Sequence, residues 1–122
     1  MDLEKKIRRI LKEEINEMTS LENSVADFIN MCLIEYKLPE GFYRVAVDIF
    51  PDYYGKQECA VTMLFKKPFK MNDSDTIHNI MKKIKNEING YFGSTFERIG
   101  TSTSTVDNYM DTKWWYNQRK NK

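Results

Sequence analysis

His78 is the only histidine of the chain, and Cys32 and Cys59 are its only thiols. That inventory limits the chemistry at once. A tetrahedral zinc site needs four His, Cys or carboxylate ligands, and a Ser/His/Asp or Cys/His relay needs a histidine beside its nucleophile. His78 falls on the flank of the polar face of a predicted helix, with no second histidine and no paired cysteine near it. Cys32 and Cys59 fall on predicted apolar faces, where cysteine behaves as a small hydrophobe, so the sequence predicts two free thiols and a reducing compartment. Asp73/Asp75 and Asp107/Asp111 are close acid pairs, but helix capping and turns account for them. Nearness in sequence does not make a glycosidase dyad. Neither a P-loop nor a dinucleotide-binding glycine pattern occurs. The expectation is a non-enzymatic chain with no metal and no cofactor.

Binding chemistry is better represented. Lys66, Lys67 and Lys70 form one basic group, and Lys82, Lys83 and Lys85 another. With a net charge of +1 for the whole chain, nucleic acid or an anionic surface could be met only through such a local patch. Gly90-Tyr91-Phe92-Gly93 follows a predicted helix and precedes a segment, 94–99, that reads as a strand or a short helix. Helix, strand, strand, helix, GxxG, helix, strand resembles the order of a type II KH domain. That resemblance implies single-stranded RNA or DNA held at Gly90 and Gly93. The residues alone also fit a plain reading, in which Gly90 caps the helix and a turn leads into a strand.

The elements that must position these groups begin with an amphipathic helix over residues 1–18. Leu3, Ile7, Ile10, Leu11, Ile15 and Met18 form its apolar stripe. Its first part is basic and its end acidic, the reverse of what the helix dipole prefers. Thr19-Ser20-Leu21-Glu22 fits a capping box, which predicts a second helix from there to about Tyr36 or Lys37, stopped by Pro39 and Gly41. Leu21, Val25, Phe28, Ile29, Cys32 and Tyr36 make its main face, and Met31, Leu33 and Ile34 widen the apolar arc beyond what one sheet covers.

Tyr43, Val45, Val47 and Ile49, then Cys59, Val61, Met63 and Phe65, alternate with more polar residues. They predict two strands joined by a turn at 51–56 into an antiparallel hairpin with its odd face buried. Arg44, Asp48, Glu58, Thr62 and Lys66 would then face water, so a charge at Thr62 should be tolerated. A third helix is expected from the cap-rich Met71–Asp75 stretch to Asn89, with Ile77, Ile80, Met81, Ile84 and Ile88 inward. Beyond it, the Thr103–Tyr109 stretch reads as extended. Trp114, Trp115 and Tyr116 read as a strand with at least one tryptophan covering the core, and residues 117–122 read as a frayed basic tail.

At 122 residues, 41% hydrophobic and 30% charged, the chain is expected to be one domain without a membrane span. The predicted fold is an α+β two-layer sandwich in the order α-α-β-β-α-β-β, its antiparallel sheet carrying helices on one face. The predicted function is interaction or structural assembly, as a homo-oligomer or with a protein partner, in the cytoplasm or a virion. Ile7, Ile10, Leu11, Met31, Ile34, Trp114 and Trp115 are its candidate interface residues. KIRRILKEE near the N-terminus resembles the terminal helices of small proteins of tailed phages and their hosts, which implies a virion or assembly component. The alternative is a small nucleic-acid-binding module.

Overall fold

The computed structural model describes residues 19–51 and 57–120. The predicted N-terminal helix, with Ile7, Ile10 and Leu11, and the predicted turn at 52–56 lie outside the described residues. The order of elements is α1 (Ser20–Leu33), β1 (Phe42–Pro51), β2 (Gln57–Phe65), α2 (Ser74–Phe92), β3 (Phe96–Thr105) and α3 (Val106–Lys120). The fold is α+β, as the sequence predicts.

Helix α1 starts where its capping box places it. The Thr19 N–H donates to Glu22 Oε1 (2.9 Å) and the Glu22 N–H donates to Thr19 Oγ1 (3.2 Å). It ends at Leu33, a turn earlier than expected. The hairpin is present: β1 and β2 pair antiparallel, with Val47 opposite Val61 and Ile49 opposite Cys59. Val25, Ile29 and Leu33 of α1 and Ile77, Ile80, Ile84 and Ile88 of α2 cover its odd face. Each of these aliphatic side chains contributes about 1.5–3 kcal/mol by leaving water.

Three details differ from the sequence reading. The sheet is mixed, in the order β1-β2-β3, because β3 runs parallel to β2 after the α2 crossover. A parallel neighbour needs such a crossover, and the nineteen residues of α2 provide it. Most of the even face is covered: Ala46, Asp48, Phe50, Thr62 and Leu64 are buried and Arg44 and Glu58 half-buried, so of the residues expected in water only Lys66 is exposed. The last element is a helix lying on that face, so the architecture has three layers, with helices on both sides of the sheet. Ala46 and Leu64 pack with Tyr109, flanked by Val106, Met110 and Tyr116.

The switch from strand to helix occurs at Thr105, whose Oγ1 accepts the Asn108 N–H (3.2 Å), as an N-cap does. Trp114, Trp115 and Tyr116 are therefore helical, and residues 117–120 are the last turn of α3 rather than a frayed tail. Helix α2 also runs past Gly90 to Phe92. Phe28 stacks on Tyr91 (ring centroids 4.7 Å) and meets Phe92 edge-on (5.6 Å), which holds the extra turn against α1. Gly93, at φ +55°, ends it in a conformation that favours glycine.

Candidate functional site

The densest collection of functional groups lies under α3, at the end of the sheet where β1 finishes. Tyr109, Lys113, Tyr116 and Lys120 recur at intervals of four, three and four residues, so one face of the helix carries all of them. Asp48 projects from the even face of β1 to meet that stripe. Its Oδ2 accepts from the Tyr109 hydroxyl (2.7 Å), and its Oδ1 accepts from Lys113 Nζ (3.0 Å) and Lys120 Nζ (2.6 Å). Lys113 Nζ also donates to the Tyr109 oxygen (3.2 Å). Lys120 Nζ reaches on to Glu22 Oε2 (2.9 Å), the same oxygen that accepts the Ile49 N–H (2.9 Å). Through Glu22, one carboxylate joins the start of α1, strand β1 and the end of α3.

Two carboxylates and two ammonium groups balance in charge, and burial makes the balance matter. Burial pushes the Asp48 carboxyl up, but Lys113, Lys120 and the Tyr109 hydroxyl outweigh it and hold it below the ordinary carboxylate range. Burial pushes the Lys120 ammonium down, and hydrogen bonds to Asp48 and Glu22 more than restore it, leaving it above the ordinary lysine value. The Tyr109 phenol is raised, first by burial and then by the Asp48 charge. Burial, with help from Asp48 and Glu22, pushes the Cys59 thiol up to about 12, so it stays protonated and unreactive near neutral pH.

Every carboxylate oxygen of the cluster already has a partner, and each lysine is shared between two acceptors. A catalytic acid or base must be able to exchange its partner for a substrate. This arrangement positions α3. Sequence reasoning found Glu22 only as a helix cap and missed Asp48, Tyr109, Lys113 and Lys120, although two signals were present: an acid in the middle of an apolar strand, and a Tyr/Lys stripe at helical spacing.

The predicted binding residues fall in several places. Lys66, Lys67 and Lys70 gather at the opposite end of the sheet with Lys37, around an open groove of about 990 Å³ between the α1–β1 and β2–α2 connections. Lys83 lies seven residues beyond Thr76, a groove residue, on the same face of α2, and its ammonium sits 5.6 Å over the Tyr36 ring. Lys82 and Lys85, three residues apart, share a different face. Gly90 lies within α2 and Gly93 caps it, so the two glycines do not frame a loop.

Met31 on α1 and Ile34, the residue that caps its C-terminal end, are 71% and 82% exposed. Trp114 and Trp115, 60% and 48% exposed, lie on α3, across the sheet from them. His78 is exposed on α2, and Cys32 and Cys59 are free thiols. Among the described residues no cluster of His, Cys, Asp and Glu could hold a metal ion, and no helix is long and apolar enough to cross a membrane. No family model, curated protein or solved structure matches the chain.

Proposed function

We propose that the chain is a non-enzymatic interaction protein of a larger assembly, engaging a second copy of itself through the outer face of α1. The supporting observation is that face itself. Met31 and Ile34, three residues apart, leave most of their surface in water, and the exposed Tyr91 ring stacks on Phe28 one turn away. Together they expose on the order of several hundred Å² of largely apolar surface, as large as the biggest patch on a typical monomer and often functional at that size. The saturated polar cluster supports the non-enzymatic side of the reading, because its groups are committed to holding α3. The resemblance of KIRRILKEE to phage proteins suggests a virion, or the building of one, as the setting.

Light scattering of the full chain across a wide concentration range tests the reading. Self-association is expected, and Met31→Lys with Ile34→Lys should abolish it while leaving the melting curve in place, since both positions are exposed. A full-length protein that stays monomeric at the highest attainable concentration would refute self-assembly through this face.

A further inference from the structure

At the end of the sheet remote from the polar cluster, two connections are held side by side. The Lys66 N–H donates to the Gly41 carbonyl (2.9 Å) and the Phe42 N–H to the Pro39 carbonyl (3.2 Å). Gly41 takes φ +90°, which a side chain would strain, so the first connection can turn back toward the second. The groove between them has Leu38, Pro39, Pro68 and Phe69 among its lining residues, and Lys37, Lys66, Lys67 and Lys70 are all exposed around it. Glu40 and Asp73 line it as well, yet none of the four lysines forms an ion pair with a carboxylate among the described residues. The contrast with Lys113 and Lys120 is physical: those two are paired with buried carboxylates, whereas these four stand exposed with no carboxylate partner among the described residues.

We infer that this groove binds single-stranded nucleic acid, its lysines taking the phosphates and its apolar floor the bases. Charge alone would suit any polyanion. The floor narrows the choice, because a flexible strand can turn its flat bases onto Phe69 and the two prolines while its phosphates follow the rim. Tyr43 stands next to the groove with Lys66 over its ring at 5.9 Å, a second surface for stacking. A duplex keeps its bases inside and offers nothing to such a floor. The +1 net charge also gives no broad field to hold one. This site is separate from the α1 face proposed for assembly, and neither reading depends on the other.

The test is fluorescence anisotropy of the full chain with labelled twelve-nucleotide oligothymidylate and oligouridylate. An unlabelled duplex, inorganic polyphosphate and an oligoglutamate peptide serve as competitors. Four phosphate contacts on a single strand predict a log–log salt slope near about −2.8, roughly a 50-fold loss of affinity between 50 and 200 mM salt. Lys66→Glu with Lys67→Glu should weaken binding at least about tenfold and flatten that slope. Lys82→Glu with Lys85→Glu makes the same change of net charge on another face of α2 and should stay within about twofold. All four positions are exposed, so the melting curves should coincide. No binding at low salt, an equal loss in both double variants, or displacement by polyphosphate, oligoglutamate or duplex as effective as by the unlabelled strand would each overturn the inference.

Discussion

Asp48 and Lys113 meet at 3.0 Å with the carboxylate fully shut off from solvent and the lysine nearly so, one from the second half of β1 and the other from the middle of α3. Such a pair in isolation adds little net stability, because desolvating both charges offsets their attraction. Removing one partner is another matter, since the other is then left charged and buried. Asp48→Asn should therefore destabilise the domain by about 3–5 kcal/mol in denaturant melts. Adding Lys113→Met should recover part of that loss, leaving the Glu22–Lys120 pair intact. A double variant no more stable than Asp48→Asn alone would mean that Lys113 is not the partner that matters.

The same cluster fixes the pH response. Asp48 is held below its unfolded value, so its contribution is present above about pH 4 and lost as pH falls through its lower folded value. Lys120, Tyr109 and Cys59 are raised, so their contributions are complete below their unfolded values and lost as pH rises through the folded ones. For the Cys59 thiol that window runs from its ordinary 9.0 to about 12. Stability measured against pH should be flat between about 5 and 8 and fall on both sides. Asp48→Asn should remove much of the acid limb, and an acid limb unchanged by that variant would assign it elsewhere.

Glu22 does two jobs that can be separated. Thr19→Ala removes one capping bond and should cost about 1 kcal/mol. Glu22→Ala removes the return bond of the capping box and also strips the Ile49 N–H and Lys120 of an acceptor, each loss worth about 1–3 kcal/mol. Chemical denaturation of the two variants should show the second as several times the more harmful. Equal losses would reduce Glu22 to a helix cap.

Val47→Asp and Thr62→Asp test the two faces of the sheet. Val47 faces the aliphatic core under α1 and α2, and Thr62 faces the α3 layer, where its hydroxyl lies 3.4 Å from Ser102 Oγ. Both are buried, so each aspartate would be an unpaired buried charge costing on the order of 3–5 kcal/mol. Thermal melts in which Thr62→Asp resembles the unmodified protein would return the even face to solvent.

The contrast between those two faces explains what could be read in advance. The odd face of the hairpin and the isoleucine stripe of α2 are apolar at a clean period, so hydropathy finds both, and the capping box at Thr19 and Glu22 marks a helix start by its polar side chains and their spacing. The even face alternates the charged Arg44 and Asp48 with the apolar Ala46 and Phe50, a mixed pattern whose two charges read as a wet face. Its cover is a helix whose buried stripe is half lysine, and no hydropathy scale sees a lysine that is buried because an aspartate waits for it. The β-branched and hydroxyl residues of 101–106 hid the Thr105 cap inside what looked like one long extended stretch. The lysine groove was half legible: Lys66, Lys67 and Lys70 fall within five residues of sequence, but only the return of the chain at Gly41 brings Lys37 to them.

Trp114 and Trp115 provide a last test, because both stand on the outside of α3 and they are the only tryptophans in the chain. Trp115 leans on Arg119, whose guanidinium lies 5.2 Å from its ring and 4.1 Å from that of Phe50. Such a contact over an exposed ring is worth about 0.5–1 kcal/mol. Trp115→Ala should thus cost little, and Trp114→Ala still less. In dilute protein the emission should sit close to that of free tryptophan and be readily quenched by acrylamide. If assembly uses only the outer face of α1, the spectrum stays there as concentration rises and mass increases, because the sheet separates the two surfaces. A blue shift that tracks the increase in mass would place the α3 tryptophans in the contact and make the association head-to-tail, α3 of one copy against α1 of the next. A blue-shifted, unquenchable signal already present in the dilute monomer would contradict the placement of α3 itself.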